Sequence, residues 1–386
     1  MYSLLLAVIY LAFISLGLPD SLLGSAWPVM HLDIGAPTAF MGMVSMVISG
    51  GTIVSSLLSD KLTKKFGTVN LTIGSVFLTA IALFGFSIST EFWMLLIFAI
   101  PYGVGAGAVD AALNNYVSLH YSSRHMSWLH SFWGVGAIIS PFVMSYAIQN
   151  TTWNNGYSTV SFIQLAIVAV LVLSLPLWKT NGSAKESNGK SLSLMEALKI
   201  NGVIYIVLGF LAYCALEATT MYWASTYLVE VRGLSGGIAA RFGSLFYIGL
   251  TASRIISGFV TDKLGDRKMI QIGTTILIIG MFGLLIPVEN PIYSLIGFII
   301  IGFGSGPIYP AIIHSTPGNF GKENSGAIIG IQMAFAYVGS TLVPPLYGLL
   351  GSFLGYKILP VFVLVCAVFM ISMTEMAFKV TAKKEV

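Results

Sequence analysis

The sequence predicts an all-α membrane protein with about twelve transmembrane helices, arranged as two pseudo-symmetric halves of six. Three observations support this fold class. Hydrophobic residues make up 56% of the 386 residues, charged residues only 9%, and the mean hydropathy is +0.87, which is more apolar surface than a soluble globule of this size can bury. The apolar residues lie in runs of about 20, the length that crosses a bilayer. Short motifs also recur half a chain apart.

The apolar runs fall into two groups, separated by a long polar stretch at residues 180–200. The first group predicts spans at residues 3–27, 38–58, 69–88, 92–116, 126–147 and 158–178. The second group predicts spans at residues 202–227, 236–260, 268–287, 291–313, 325–350 and 354–378. We therefore expect an N-terminal bundle over 1–179, a cytoplasmic linker with a short surface helix over 180–200, and a C-terminal bundle over 201–386.

The basic residues predict the orientation of these spans, because positively charged loops resist translocation. If both termini are cytoplasmic, fifteen of the nineteen Lys and Arg residues lie on the cytoplasmic side. We therefore expect a multi-pass protein of the cell membrane with both termini inside. Met1 leads directly into the first span without a small-residue cleavage pattern, so we expect that span to be retained. The net charge of +4 reflects this topology and does not indicate nucleic-acid binding.

The tripeptide Asp-Lys-Leu occurs at residues 60–62 and again at 262–264, and each copy closes an apolar run and opens a basic turn. This pattern resembles the loop signature of the major facilitator superfamily. The second copy is the fuller match, because Gly258 and Gly265 stand where the pattern has small residues, whereas the first copy is degenerate. We expect these loops to control gating, with the carboxylate capping a neighbouring helix. The gating residues predicted in this way are Asp60, Lys61, Arg254, Asp262, Lys263 and Arg267.

A second set of matches shows that the two halves are repeats. Gly103, Gly105 and Gly107 correspond to Gly302, Gly304 and Gly306, and the pair Gly136 and Pro141 corresponds to Gly339 and Pro344. Glycines at this spacing within membrane spans favour close helix packing over nucleotide binding. Transporters built from such repeats bind their substrate near the bilayer midplane and expose it alternately on the two sides.

Ionisable residues inside the spans are the first candidates for function, because the bilayer makes them energetically costly. Only three of the fifteen acids fall there, namely Asp20, Asp110 and Glu217. A structural alternative is an acid that hydrogen-bonds a Ser or Thr and bends a helix. Asp110 has the more suggestive setting, because low dielectric favours the neutral carboxyl form and so permits proton uptake and release. Asn114 lies four residues further on, on the same helical face, and offers donors and acceptors to a polyhydroxylated ligand.

The fourth and fifth spans resemble the fucose permease and the wider fucose-galactose-glucose:proton symporter family. In that family an acid is followed by small residues and then Asn-Pro-Tyr; here Asp110 precedes Asn114, Asn115 and Tyr116, with Asn115 where Pro is usual. The fifth-span stretch Ser-Phe-Trp-Gly-Val-Gly at 131–136 is similar to the family's Phe-x-Gly-x-Gly. The resemblance implies that Asp110 is the proton-coupling acid and that Asp20 binds substrate or takes part in coupling.

Sugar sites combine an aromatic ring with a few amide or carboxyl groups that satisfy the hydroxyls. Aromatic and amide side chains in the spans therefore extend the set of candidate substrate-binding residues, although most aromatic residues in such a chain face lipid or the interface. The full set is Asn114, Asn115, His130, Trp133, Glu217, Tyr222, Trp223, Tyr309 and Gln332.

Three functions fit this pattern. The first is a symporter that imports a hexose or related sugar with a proton, with Na⁺ as the other coupling ion left open. The second is a proton-coupled exporter of lipophilic compounds; such porters carry Gly-x-x-x-Gly-Pro on the fifth span, whereas here Gly136 is followed by Ser140 and Pro141. The third is a sensor or membrane enzyme, for which the sequence offers no signalling domain or catalytic arrangement. We expect no cofactor, no metal and no nucleic-acid partner, and a monomer surrounded by lipid.

Overall fold

The computed structural model describes residues 2–37, 40–180, 192–234, 239, 245–287 and 290–382. Within these ranges the chain is almost entirely helical. The helices of the first half are α1 (Tyr2–Asp20), α2 (Leu22–Asp33), α3 (Met41–Phe66), α4 (Thr68–Ser87), α5 (Phe92–His120), α6 (Ser123–Asn150), α7 (Trp153–Leu173) and α8 (Leu175–Thr180). The middle of the predicted linker, residues 181–191, lies outside the described residues, and a short helix α9 (Leu194–Leu198) follows it.

The helices of the second half are α10 (Val203–Glu230), α11 (Leu245–Leu264), α12 (Asp266–Leu285), α13 (Ile292–Ser305), α14 (Ile308–Phe320), α15 (Lys322–Leu354) and α16 (Leu359–Ala382). A single 3₁₀ turn, Tyr356–Ile358, precedes α16. Two pairs of these helices each form one broken span: α1 with α2, interrupted at Ser21, and α13 with α14, interrupted at Gly306 and Pro307.

Eleven helical segments of the described residues are long and apolar enough to cross a membrane. The remaining predicted span corresponds to α11, which carries Arg254, Asp262 and Lys263 and whose predicted beginning lies outside the described residues. The predicted fold class, an all-α membrane protein of about twelve spans, is therefore confirmed.

The described chain divides into two compact units. The first unit contains Met1–Tyr116, Leu129–Ser193 and Ile329–Ala334, and the second contains Val117–Trp128, Leu194–Ile328 and Phe335–Val386. The division in the linker falls at residue 193, and two short segments are grouped with the unit of the other sequence half.

The repeated glycines mark equivalent helix crossings in the two units. A Cβ on Gly103 would overlap the carbonyl oxygen of Ile48 on α3, and a Cβ on Gly302 would overlap that of Phe246 on α11. Hydroxyl groups add to the first crossing, because Ser56 Oγ donates to the carbonyl oxygen of Gly107 at 3.2 Å. Helices without side chains at the contact can approach closely in a membrane. The predicted packing role of these glycines is therefore confirmed within each unit.

Candidate functional site

A buried chain of hydrogen bonds joins Asp110, Asn114 and His130 in the first unit. Asn114 Nδ2 donates to Asp110 Oδ1 at 2.8 Å and to the carbonyl oxygen of Asp110 at 3.0 Å. Because that amide nitrogen is committed as a donor, Asn114 Oδ1 is the acceptor for His130, whose Nε2 donates to it at 3.1 Å. Asn114 is completely buried, and Asp110 and His130 are 8% and 5% exposed. The edge of the His130 ring also meets Phe13 of α1, 5.4 Å between centroids.

This arrangement follows from local helix geometry. Residues four apart share a face of a helix, so the side chain of Asn114 reaches back to the carboxylate one turn earlier on α5. The prediction that Asp110 and Asn114 lie on one face is thus met by a direct bond. His130 belongs to α6, which follows α5 after a short connection and therefore runs beside it. A buried carboxyl that is joined through an amide to an imidazole is suited to holding and passing a proton.

A second carboxylate, Asp20, lies at the end of α1 where the first span is interrupted. Tyr102 OH donates to Asp20 Oδ1 at 3.3 Å and Trp133 Nε1 donates to Oδ2 at 2.8 Å. Asp20 is exposed, Trp133 is half-buried and Tyr102 is buried. Each carboxylate oxygen keeps a further lone pair after accepting one bond, so Asp20 can accept hydrogen bonds from a ligand.

The two clusters are built on the same pair of helices. Tyr102 and Asp110 are both on α5, eight residues or about 12 Å of helix apart, and His130 and Trp133 are three residues apart on α6, about 4.5 Å. One carboxylate is therefore buried and the other exposed, and neighbouring turns of α6 supply a side chain to each. The first unit brings together five of the predicted residues, namely Asp20, Asp110, Asn114, His130 and Trp133.

Glu217 occupies a different setting in the second unit. Arg254 Nη2 donates to Glu217 Oε1 at 3.0 Å, and the two side chains are 6% and 13% exposed. Arg254 is one of the predicted gating residues, and it lies eight residues before Asp262, on the same helical stripe of α11. The structure instead directs the guanidinium towards α10, because Glu217 offers a carboxylate within the span, whereas Asp262 is engaged at the end of the helix.

The remaining five predicted substrate-binding residues lie on α5, α10, α14 and α15. Trp223 Nε1 donates to the carbonyl oxygen of Pro344 at 2.9 Å, and its ring stacks on Tyr356 at 5.4 Å, so it packs α10 against the end of α15. Tyr222 is 66% exposed, and the ring centroids of Tyr309 and Phe210 are 4.7 Å apart in a T-shaped contact. The other two are Asn115, which is half-buried on α5, and Gln332, which is fully buried in the α15 segment grouped with the first unit.

The second Asp-Lys-Leu loop forms a polar cluster in the second unit. Asp262 accepts hydrogen bonds from the backbone N–H of Arg124 at 3.0 Å and from Ser122 Oγ at 3.1 Å, and it forms an ion pair with Arg124 Nε at 3.2 Å. Arg124 is the second residue of α6, so the carboxylate caps the amino-terminal end of that helix, where unsatisfied N–H groups and the helix dipole favour an anion. Asp266 extends the cluster by accepting bonds from Ser123 Oγ at 2.6 Å and His314 Nδ1 at 2.7 Å.

The first loop differs for a reason visible in the sequence. Gly265 stands three residues after Asp262 and ends α11 with a positive φ of 78°, whereas Thr63 stands at that place after Asp60. Helix α3 therefore continues for another turn to Gly67, which has a φ of 80°. Asp60 consequently lies inside the helix, where it pairs with Lys64 four residues on at 2.9 Å. This is the physical basis of the degeneracy noted in the first copy.

Three other predicted gating residues are Lys61, Lys263 and Arg267. Lys61 and Lys263 are exposed. Arg267 binds Glu375 on α16 with two hydrogen bonds, from Nε at 3.2 Å and from Nη2 at 2.5 Å. Arg267 therefore fastens α12 to α16 within the second unit.

Tyr102 is a site residue that the sequence did not predict. It lies in the apolar stretch of α5, where an aromatic residue is expected to serve in packing, and its ring does form a T-shaped contact with Phe86. The available signal is its spacing from Asp110, because eight residues bring it close to the same face two turns away. Arg124 and Ser122 were missed because they are remote in sequence from the loop they contact.

The model of the Major Facilitator Superfamily matches residues 9–313 and 239–386 of the chain. The chain belongs to this superfamily. Its curated relatives carry varied descriptions. Bypass of stop codon protein 6 of Saccharomyces cerevisiae is 23% identical over 90% of this chain and 77% of that protein. The hexuronate transporter of Bacillus subtilis is 26% identical over 90% of this chain and 88% of its own length.

Solved structures confirm the fold. FucP, a superfamily transporter whose crystal structure is in the outward conformation, matches with a TM-score of 0.80 at 16% identity, over 96% of this chain and 98% of its own. A second crystal structure of FucP, described as the fucose:proton symporter of E. coli, gives a TM-score of 0.78 at 17% identity, over 97% of this chain and 98% of the FucP chain. The protein is thus a multi-pass membrane transporter of the superfamily, and family and fold point away from an enzyme.

Proposed function

We propose that this transporter imports a hexose or related sugar together with a proton by alternating access. The observation that supports this most strongly is the pairing of a buried carboxyl network, Asp110 with Asn114 and His130, with an exposed carboxylate, Asp20, held by Trp133 and Tyr102. A symporter needs one group that changes protonation and another that recognises the substrate. The two clusters divide these tasks.

In this proposal Asp110 carries the driving proton. A buried carboxyl is costly to ionise, and Asn114 Nδ2 stabilises the ionised form by donating to it at 2.8 Å. The same amide connects Asp110 to the imidazole of His130 through Nε2. A change of protonation at Asp110 therefore alters the hydrogen bonds between α5 and α6, which are the helices that also hold Asp20.

Asp20 and Trp133 would bind the sugar. A carboxylate with free lone pairs accepts hydrogen bonds from hydroxyl groups, and a tryptophan ring offers a flat apolar face to the C–H side of a pyranose. Because the indole N–H is already bonded to Asp20 at 2.8 Å, the two side chains form one preorganised unit. The relatives described as a hexuronate transporter and a fucose:proton symporter support the sugar class and the proton.

Several broader expectations belong to the same proposal. They are a location in the cell membrane with both termini cytoplasmic, a monomeric state, and two six-helix bundles over 1–179 and 201–386 joined by the linker 180–200. The excess of basic residues on the cytoplasmic side supports the orientation.

The Asp110→Asn variant tests the proposed coupling. The amide mimics the protonated acid, so exchange of loaded carrier should continue, whereas uphill accumulation should vanish because the empty carrier cannot return deprotonated. We would measure labelled-sugar counterflow and pH-driven uptake in proteoliposomes. Asp33→Asn is the control, because Asp33 is another carboxylate of the first unit that accepts a hydrogen bond, from Trp153 Nε1 at 2.7 Å, but it lies at the end of α2.

Undiminished pH-driven accumulation by Asp110→Asn would exclude this residue as the proton carrier. A Na⁺ gradient that drives uptake when a pH gradient does not would replace the proton as the coupling ion. If the wild-type protein shows neither counterflow nor accumulation for any hexose or uronic acid, the exporter of lipophilic compounds becomes the better assignment.

A further inference from the structure

The first span contains a backbone carbonyl that its own helix cannot satisfy. In an α-helix the carbonyl of residue 15 accepts a hydrogen bond from the N–H of residue 19, but residue 19 is Pro19, which has no N–H. Gln164 of α7 supplies the missing donor, because its Nε2 lies 2.5 Å from the carbonyl oxygen of Ser15. Gln164 is completely buried and Ser15 is 2% exposed, so water is excluded from this bond.

The oxygen of the Gln164 amide indicates which of its two polar atoms has the structural role. Its Oε1 is buried and accepts no hydrogen bond from any residue that the structure describes. An unsatisfied buried acceptor destabilises a protein, and such groups are rare. The hydrogen bond from its Nε2 to the Ser15 carbonyl therefore best explains why a glutamine is buried here although its oxygen is unsatisfied.

Backbone contacts fix the same segment of α1 from another side. A Cβ on Gly17 would overlap the carbonyl oxygen of Trp133 on α6, and a Cβ on Gly136 would overlap that of Ile14. Residues 14–17 are thus pressed against the turn of α6 whose indole donates to Asp20. Asp20 follows Pro19 directly and ends α1. The position of its carboxylate therefore depends on where the segment around Pro19 lies.

From this geometry we infer that Gln164 is a positioning residue for Asp20: it holds the proline-interrupted end of α1 so that the Asp20 carboxylate meets the Trp133 indole. The inference rests on the proposed function for its effect on transport. Gln164 does not touch the substrate. It acts by bonding the Ser15 carbonyl, and removing that donor shifts Asp20 away from Trp133.

The transport test uses Gln164→Leu, which keeps the approximate size of the side chain and removes the donor. We expect the KM for the transported sugar to rise about tenfold or more, as for loss of the donor to a buried carbonyl, with a smaller change in the maximal rate. Gln149→Leu is the matched control, because Gln149 is an exposed amide on α6 that bonds only Ser145 Oγ, at 3.2 Å, among the contacts described here. An unchanged KM in folded Gln164→Leu protein would overturn the inference.

A suppressor variant separates this role from general packing. Pro19→Ala restores an N–H at residue 19, which can bond the Ser15 carbonyl within the helix. In that background Gln164→Leu should raise the KM less than about twofold, because the carbonyl has its own donor. An equal effect of Gln164→Leu in both backgrounds would show that Gln164 acts elsewhere.

A spectroscopic measurement makes the result independent of transport. The chain has seven Trp residues, and the ¹⁵N-indole signal of Trp133, assigned with Trp133→Phe, reports its bond to Asp20. Asp20→Asn should shift this signal, and Gln164→Leu should shift it in the same direction while Gln149→Leu does not. An unmoved Trp133 signal in Gln164→Leu overturns the inference. A shifted signal in a protein that transports no sugar supports it and rejects the proposed function alone.

Discussion

Two tryptophan side chains of the first unit make the same hydrogen bond to two acids of the first span. Trp133 Nε1 donates to Asp20 at 2.8 Å, and Trp153 Nε1 donates to Asp33 at 2.7 Å. The two indole–carboxylate hydrogen bonds are alike, but the surroundings of the two acids differ. Asp20 lies at the interruption between α1 and α2 beside Tyr102, whereas Asp33 is the last residue of α2. At the scale of single residues, the proposed function assigns a substrate contact to the first pair and a structural role to the second.

Trp133→Phe should therefore weaken sugar transport more than Trp153→Phe. Each variant loses a hydrogen bond to a charged group, about 1.5–3 kcal/mol, which corresponds to roughly tenfold or more in an equilibrium constant. For Trp133→Phe we expect the KM for uptake into proteoliposomes to rise by this factor. For Trp153→Phe we expect an unchanged KM and a lower melting temperature. Equal KM values for the two variants would contradict the assignment of Trp133 to the substrate site.

At this scale the sequence predicted contacts within one helix better than contacts between helices. Asp110 and Asn114 could be paired from their spacing of four residues, whereas the contact of His130 with Asn114 joins two helices and was not predicted. Tyr102 and Gln164 were not recognised, because a single Tyr or Gln in an apolar span has no charge to mark it. The ion pair of Arg254 with Glu217 was not predicted, because helical spacing gives the face of a residue but not which neighbouring helix lies opposite.

At the scale of helices, the repeated glycines determine how closely α5 and α13 approach their neighbours. Gly103 faces the backbone of α3 at Ile48, and Gly302 faces the backbone of α11 at Phe246. Each contact is helix to helix without an intervening side chain. The sequence predicted this packing, because glycine triplets that recur at matching places in apolar spans are typical of close helix contacts.

Gly103→Val and Gly302→Val should both destabilise the protein, since an added side chain must push two backbones apart. Gly74 on α4 provides the control, because a Cβ there meets no atom within 4 Å. We expect both crossing variants to lower the melting temperature in detergent and Gly74→Val to leave it near the wild-type value. A melting temperature for Gly103→Val as high as that of Gly74→Val would show that α5 can move away from α3 at little cost.

At the scale of the whole molecule, the loop cluster of Asp262 is the candidate control of the transport cycle. The carboxylate caps α6 at the N–H of Arg124 and pairs with its guanidinium, whereas Asp60 pairs with Lys64 on its own helix. The sequence indicated that the second copy of the motif is the fuller one. The structural reason, the early end of α11 at Gly265, became clear only from the helix boundaries.

Asp262→Asn should slow transport while leaving equilibrium sugar affinity within a few-fold, because the residue lies at the end of α11, where it caps α6, and we propose that it controls gating and does not touch the sugar. Asp60→Asn should slow transport less, since its ion pair is local to α3. Uptake rates in proteoliposomes and sugar binding by calorimetry measure the two quantities. Loss of binding in folded Asp262→Asn protein would make the gating role wrong.

The buried pair of Glu217 and Arg254 has a consequence for how the chain enters the membrane. Arg254 lies on α11, the segment whose described part is not among the eleven apolar candidates, and an arginine at the centre of a span costs about 2.5–3.5 kcal/mol to insert. Glu217 on the preceding span neutralises it at 3.0 Å. Spans seven and eight are successive in the chain, so we expect them to insert as a helical hairpin.

We expect the eighth span to insert inefficiently when it is expressed alone and more efficiently when the seventh span precedes it. Glu217→Leu should remove that improvement although it makes the seventh span more apolar, whereas Glu230→Leu, at the exposed end of the same helix, should retain it. Glycosylation mapping in microsomes measures the inserted fraction. A side-chain pair in the finished transporter would then also determine that two of its helices leave the translocon together.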